Sequence, residues 1–430
     1  MKISSAKWYR HLKNTIASRY ATIDYKEYCI MPNGNKRKAV IFGLNPSVNI
    51  EGLSWDEIRN KVGGNTGNLV FSYAIDDLIE NKLKTLPYGS GDFVPDSSIG
   101  VMACANLLNS KVDMEYEWEW LKKYDVPMVT LGLGAQSNEA YGKATSFSMP
   151  KLPGGTIGWI KELSRHALFS KPNIGVRGQF SFSVLERLGL GERAEVLGCP
   201  SLFINKSFNL GKEIAKNIKE PKKIAFAAGN MYWRGLAAIE NSLSEIITEC
   251  DGAFVTCCDV KMMRVGHGEF DLLSEKHQSK IHRHFYKNIS RQAFSEWTKK
   301  RGHVFFDVPS WMNFYKNFDF VVGPRIHGIM VALQAGVPAM CIAVDSRTKE
   351  LCETMLVPYV MAADIRSGIT RKDLMRLFKF DPDAFDLNRR RLATKLLEFA
   401  GNNGLSLSLS LSLSLSLSLS LSQTEKGKHS

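Results

Sequence analysis

The chain lacks an apolar run long enough to cross a bilayer, and its eight cysteines contain no Cys-x-x-Cys pair. The first absence argues against an integral membrane protein, because a spanning helix needs about 20 consecutive apolar residues. The second removes the commonest zinc and dithiol motifs. Cys104, Cys257, Cys258 and Cys341 lie instead in apolar strand-like runs, where a reduced thiol acts as a small core residue. Met1 to Arg19 is polar and basic without the apolar stretch of a signal peptide, so a cytoplasmic protein is expected. No Gly-x-Ser-x-Gly elbow occurs, which excludes the α/β-hydrolase arrangement. The loop Gly132-Leu133-Gly134-Ala135-Gln136-Ser137 completes neither Gly-x-Gly-x-x-Gly nor the Walker spacing with its Lys, so a dinucleotide or ATP cradle is not expected.

Negative charge is also short. Lys and Arg number 56 against 43 Asp and Glu, a net charge of +13. Such a surface favours an anionic partner: a phosphorylated substrate, an acidic glycan or an anionic membrane face. No nucleic-acid motif accompanies the charge, so no nucleic acid is expected as a partner. Arg389-Arg390-Arg391 reads as a solvated helix face. His282 and His284 flank Arg283 without paired carboxylates, so no metal site is expected there or elsewhere.

At 430 residues, 44% apolar and 23% charged, the chain is long enough for two substantial cores. Short apolar runs alternate with longer amphipathic stretches, the pattern of parallel α/β units. Strands are expected at Ala39 to Leu44, Gly100 to Ala103, Pro127 to Leu133, Ile174 to Val176 and Ala194 to Leu197. Helices fall between them at Asn68 to Glu80, Thr156 to Ser170 and Phe180 to Leu188. A Pro/Lys/Asn-rich passage from Asn205 to Lys223 interrupts the alternation. A second set of strands follows at Lys223 to Ala227, Ala253 to Cys257, His303 to Phe306, Asp319 to Val322 and Ala339 to Ala343. The helix Asp386 to Phe399 is long enough to pack back across both units. Nine Leu-Ser repeats, Leu405 to Ser422, read as a low-complexity tail without a catalytic role. The expected division is therefore 1–37 as an N-terminal helical extension and 38–208 as an N-terminal Rossmann-like domain. A linker at 209–222 leads to a C-terminal Rossmann-like domain at 223–365, C-terminal helices at 366–404 and a disordered tail at 405–430.

Two open α/β domains leave a cleft between facing strand ends, a favoured place for ligands. Val321-Val322-Gly323-Pro324-Arg325-Ile326-His327-Gly328 delivers a fixed cation and an imidazole where a strand meets a helix. Arg325 can fork onto a phosphate or carboxylate, and His327 can donate to an anion or move a proton. Ile174-Gly175-Val176-Arg177-Gly178 repeats this logic in the first domain. Two guanidinium groups facing one cleft suit a small ligand with two anionic groups. Gly63-Gly64-Asn65-Thr66-Gly67-Asn68 lies at another turn, where Asn68 is also a plain N-cap candidate. Asp259, His267, Glu269 and Asp271 read as a polar loop.

Arg177-Gly178-Gln179-Phe180-Ser181, then Val196-Leu197-Gly198-Cys199-Pro200-Ser201, then Gly323-Pro324-Arg325-Ile326-His327-Gly328 with Gly336-Val337-Pro338 after it, resemble the polysaccharide pyruvyltransferase family. The resemblance runs from about Val40 to Tyr359. It implies two Rossmann-like domains in a glycosyltransferase-B-like arrangement. It also implies transfer of the enolpyruvyl group of phosphoenolpyruvate onto two sugar hydroxyls, giving a pyruvate ketal and phosphate. Carried over by position, Arg325 and His327 match the donor-binding Arg and His, and Arg177 matches the first-domain Arg. Many relatives carry Gly-Asp where this chain has Gly67-Asn68, so its acceptor-side base must lie elsewhere, with Asp345 and Asp259 as candidates.

The resulting expectations are His327, Arg325 and Arg177 as catalytic residues and Asn65, Asn68, Gln136, Gly323, Gly328 and Asp345 as substrate-binding ones. No cofactor or metal is expected, phosphoenolpyruvate being a donor substrate. The acceptor is a glycan or lipid-linked oligosaccharide, with peripheral contact at the inner membrane face. The competing readings are a nucleotide-sugar glycosyltransferase of the same architecture and a non-catalytic glycan- or polyanion-binding protein.

Overall fold

The computed structural model describes residues 37–90, 98–139 and 147–409. The N-terminal extension up to residue 36 and the tail beyond 409 lie outside them. The first sheet comprises β1 (Lys38–Phe42), β2 (Lys82–Leu86), β3 (Ser98–Ala103), β4 (Met128–Leu133), β5 (Ile174–Val176) and β6 (Ala194–Val196). The second comprises β7 (Ile224–Ala227), β8 (Ala253–Thr256), β9 (Gly302–Val304), β10 (Phe320–Gly323), β11 (Ala339–Ala343) and β12 (Tyr359–Met361). Every pairing within the two sheets is parallel. Helices cover both faces of each sheet, which is why β3, β4, β7, β8, β10 and β11 are predominantly apolar and buried along their whole length.

The strand orders locate the crevices. The first sheet runs β2-β1-β3-β4-β5-β6, so its connections reverse between β1 and β3. The second runs β12-β11-β10-β7-β8-β9, the dinucleotide-fold order, and reverses between β7 and β10. Both halves are doubly wound parallel sheets, as the alternation of apolar runs implies. The added elements are the two edge strands β2 and β12. β2 has the sequence Lys-Leu-Lys-Thr-Leu with its lysine end exposed, so its polar face hides it from an apolar-run search. Lysine on an edge strand also discourages pairing with other chains.

The stretch 209–222 is not a bare linker. It contains the helix Leu210–Lys216, which buries Leu210 and Ile214. That helix packs on the long helix Pro382–Asn402, where the Asp386 carboxylate accepts from the Gly211 (2.6 Å) and Lys212 (3.3 Å) amides. The polar composition of the segment masks an i, i+4 apolar pair. Arg389 is likewise not a solvated side chain. It is buried and donates to the carbonyls of Leu202, Asn205 and Ser207, stitching the long helix to the interdomain crossing. The same helix reaches the first domain, where Lys395 pairs with Glu195 and the Asn403 amide donates to the Pro172 carbonyl.

The tail begins as structure rather than as disorder. Leu405 and Leu409 are buried, Leu407 pairs antiparallel with Ile79, and Ser406 and Ser408 exchange main-chain bonds with the segment 78–80. Alternation puts leucines inward and serines outward, as in a half-buried strand.

One hydrophobic cluster joins the two domains. It runs from Ile41, Val101 and Leu131 of the first sheet through Phe71, Ile75, Leu202 and Phe203. From there it continues to Ile329, Met330 and Leu333, and to Ala225, Val321 and Ala339 of the second sheet.

Candidate active site between the two sheets

The motif that follows β10 is placed by backbone crowding. A Cβ on Gly323 would collide with the Ala227 carbonyl of neighbouring β7, and one on Gly328 would sit 3.0 Å from the Ala227 side chain. These two glycines therefore seat the motif against the switch point between β7 and β10. The helix Ile326–Gln334 starts immediately afterwards. Arg325, at its N-cap position, stacks its guanidinium 4.2 Å from the Trp233 ring and contacts the Cys258 sulfur. His327 is half-buried, with its ring 5.6 Å from that of Phe71 and its Nε2 3.8 Å from the Cys199 sulfur.

Arg177 comes from the other sheet. It leaves the end of β5 and is 1% exposed. Its side chain lies across the end of β4, and its Nη2 approaches the Cys104 carbonyl beyond β3 (3.5 Å). Gly134 makes that path available, because a Cβ there would fall 2.9 Å from the Arg177 Cδ. The Phe71 ring lies 5.9 Å from the guanidinium, so one phenyl ring adjoins both Arg177 and His327. The buried Arg177 Nε has no hydrogen-bond partner among the described residues.

A third cation was not read from the sequence. Arg347 stands in the first turn of the helix Ser346–Met355, just past β11, with its Nη2 3.5 Å from Asp345. The buried Arg347 Nε also has no hydrogen-bond partner among the described residues. The signal was present: Ala343-Val344-Asp345-Ser346-Arg347 again brings an arginine just past an apolar strand. Burial, and then Arg177, Arg347 and Arg325 in turn, hold the His327 imidazole well below its ordinary pKa. Three guanidinium groups beside one imidazole concentrate positive charge that calls for a counter-charge.

A cavity of about 700 Å³ opens between the domains. Arg325, Arg347, Trp233, Asn230, Cys258, Asp259 and Lys261 line it from one side, and Asp56, Arg59 and Gly64 from the other. His327 and Arg177 do not line it; they adjoin the two lining arginines from within. Cys258 is thus not a plain core residue, because it forms part of this wall.

The remaining candidates divide by what their side chains already hold. In the glycine-rich loop, Thr66 N donates to the Cys257 carbonyl (2.7 Å), Asp259 N donates to Gly64 (3.1 Å), and Asn65 pairs with Cys258. The loop is thereby fastened to the second domain beside the cavity. The Asn65 side chain accepts from Gly67 N (2.9 Å). The Asn68 amide donates to the Val62 and Gly63 carbonyls (3.2 and 3.1 Å), closing the loop on itself. Gln136 donates to Asp345 across the domain boundary (3.2 Å) and accepts from Asn106. Asp345 is 2% exposed and caps its helix, accepting from Thr348 N (2.8 Å). These four side chains organise the walls and are turned to protein partners.

Asp259 differs from Asp345 in that it faces the cavity. Its φ of 61° is rare for a residue with a side chain, and such strain concentrates at functional positions. Its carboxylate accepts from Lys261 N (2.8 Å) and lies 3.7 Å from the Lys261 ammonium. His284 is a buried partner of Glu240 (2.6 Å), and Glu269 binds Trp55 and Arg264. Among the described residues no cluster of three or more His, Cys, Asp or Glu is arranged to hold a metal, and no helix is long and apolar enough to cross a membrane.

Comparison with known proteins adds three findings. The family model for polysaccharide pyruvyl transferase matches residues 65–346, well over half of the chain. No protein of curated function matches it. Among solved structures it is similar to S. aureus MnaA in complex with UDP, at 12% identity and TM-score 0.44, over 85% of this chain and 97% of that one. It is also similar to the UDP-GlcNAc 2-epimerase of Methanocaldococcus jannaschii, at 11% identity and TM-score 0.40, over 84% and 99%. For the wall teichoic acid polymerase TagF, H444N variant, the figures are 11% and 0.31, over 99% and 98%.

Proposed function

Because the chain belongs to the polysaccharide pyruvyl transferase family, we propose that it transfers the enolpyruvyl group of phosphoenolpyruvate onto two hydroxyls of a glycan sugar. The products are a cyclic pyruvate ketal and phosphate. The observation that carries this reading is the convergence of Arg177, Arg325 and Arg347 on His327 from strand ends of both sheets. Phosphoenolpyruvate presents a phosphate and a carboxylate a few atoms apart, and separate guanidinium groups can take each one.

Donor binding would also prepare the acid. With three cations nearby His327 is neutral; an incoming phosphate dianion offsets them and raises its proton affinity. The imidazolium then protonates the methylene carbon of the donor. An oxocarbenium-like centre develops and one sugar hydroxyl attacks it. Phosphate leaves against the guanidinium groups, which stabilise the growing charge, and the second hydroxyl closes the ketal. Acid and base would each contribute about a hundred- to ten-thousand-fold. Asp259 is our assignment for the base, since Asp345 is consumed as a buried cap while Asp259 faces the cavity. The positive charge comes from side chains, and the scheme calls for no cofactor. The acceptor is a glycan or its lipid-linked precursor, met at the inner face of a membrane.

The test is acceptor-dependent release of phosphate from phosphoenolpyruvate, alongside calorimetry against nucleotide sugars. Folded protein that binds a nucleotide sugar, and leaves phosphoenolpyruvate untouched across a panel of glycan acceptors, would overturn the proposal.

A further inference from the structure

Cys257 and Cys258 follow the end of β8 beside the cavity, and the transfer scheme uses neither sulfur. In a regular strand adjacent side chains point to opposite faces. Here the chain turns: Cys258 pairs with Asn65 of the other domain, and Asp259 follows with its positive φ. The two thiols come within hydrogen-bonding reach of each other. Cys258 lies on the cavity wall with the Arg325 guanidinium against its sulfur. The Asn230 amide adds a second donor at 3.5 Å, and the Cys258 S–H donates to the Gly229 carbonyl (3.4 Å).

These surroundings differ from those of the other thiols. Burial pushes Cys104 up to about 12. Cys341 and Cys352 also touch, but they are buried without a guanidinium among their neighbours, and burial drives Cys352 well above the ordinary range. In the Cys257–Cys258 pair the partner's S–H and the nearby Arg325 bring the first deprotonation down to about 7, while the second proton is held tightly. The thiolate therefore lies on Cys257, next to the Cys258 thiol on the wall of the open cavity. A thiolate, and not a thiol, is the form that attacks peroxides.

We infer that Cys257 and Cys258 form a modification site for small peroxides, and that its oxidation releases the sulfur that holds Arg325. The Cys257 thiolate attacks one peroxide oxygen, the O–O bond breaks and hydroxide leaves as water, giving a sulfenic acid on Cys257. The Cys258 sulfur then attacks that sulfur, its proton passes to the departing hydroxide, which leaves as water, and an S–S bond joins the neighbours. Overall two thiols and one hydrogen peroxide give one disulfide and two waters. The Cys258 sulfur turns toward Cys257, and Arg325 loses one of the groups that fix it over Trp233. The effect on donor binding rests on the proposed function; the thiol chemistry does not.

The experiment exposes the purified chain to limited hydrogen peroxide, blocks free thiols and maps them by peptide mass spectrometry. Binding of phosphoenolpyruvate and of inorganic phosphate is measured in parallel by calorimetry. The expected result is a Cys257–Cys258 disulfide while Cys341 and Cys352 stay reduced. Anion binding should weaken about ten- to a hundred-fold, as for loss of one charge-assisted contact, and dithiothreitol should restore it. Cys258→Ser should stop at a sulfenic acid on Cys257 that dimedone traps. Oxidation of the pair no faster than of Cys341 and Cys352 overturns the inference, as does a disulfide that leaves inorganic phosphate binding unchanged. Reduced protein that binds phosphate but not phosphoenolpyruvate would count against the donor assignment alone, since the mass spectrum still decides the thiol chemistry.

Discussion

A single methyl group at Gly134 should disable the site from beneath. The Gly134 φ lies outside the left-handed region, so alanine meets no backbone penalty there. Its Cβ would stand 2.9 Å from the Arg177 Cδ, 3.5 Å from Nε and 3.6 Å from the Ala105 carbonyl. Carbon–carbon contacts settle near 3.5–4.0 Å, so the Arg177 side chain must move by roughly 0.6–1 Å. At 1% exposure it has no solvent to move into. Overpacking of this kind costs about 1–3 kcal/mol, which lowers Tm by a few degrees. A displacement of about 1 Å at a positioning group can cost around a hundred-fold in rate. We therefore expect Gly134→Ala to remain folded and to lose about ten- to a hundred-fold in kcat/KM for phosphoenolpyruvate. The decisive assay is a double-mutant cycle with Arg177→Ala, following phosphate release and calorimetric Tm. If Gly134 acts by accommodating Arg177, the alanine should cost almost nothing once Arg177 is truncated. Equal losses in both backgrounds, or full activity in the single variant, would show that Gly134 does not act through Arg177.

Three further outcomes are expected. Arg347→Ala should raise KM for phosphoenolpyruvate at least ten-fold. It should also shift the His327-dependent limb of the pH–rate profile to higher pH, because a cation that depresses the imidazole is removed; an unmoved limb would place Arg347 outside the site. Asn68→Asp restores the acidic residue many relatives carry but leaves the Val62 and Gly63 carbonyls without a donor. It should lower stability by about 1–3 kcal/mol, read by denaturant unfolding, and gain no activity. Glu350, accepting from Ser181 N (2.6 Å) and Oγ (2.8 Å) across the domains, is raised by burial from 4.5 to about 7. The unfolded chain releases this proton first, so its stabilising contribution is full below about pH 4.5 and is lost as pH rises to about 7. Compared with wild type, Glu350→Gln should flatten the stability profile over that window, and parallel profiles would contradict the assignment.

The sequence made the architecture legible where local pattern and burial agree. β3, β4, β7, β8, β10 and β11 are buried on both faces, so each appears as an apolar run. β2 was hidden because an edge strand needs only one apolar face, and its lysines read as loop. Arg177, Arg325 and His327 were legible because each lies at a strand-to-helix turn. Arg347 obeys the same rule but stands after an Asp-Ser cap, so the local pattern reads first as a helix start. For the amides of Asn65, Asn68 and Gln136 the limit is the opposite one. Their residue types suit a substrate, and only three-dimensional neighbours reveal that Gly67, Val62 and Asp345 already hold them. Nor could pattern alone foresee that Leu210 and Ile214 lie under a helix almost two hundred residues later.

The shared apolar cluster that joins Ile41 to Ala339 through Phe71 and Leu333 bears on how the protein comes apart. Domains that meet through a small polar surface swing as separate bodies and melt separately. Here, parting the halves would wet the middle of a common core. Heat or denaturant should therefore unfold both sheets in one calorimetric transition.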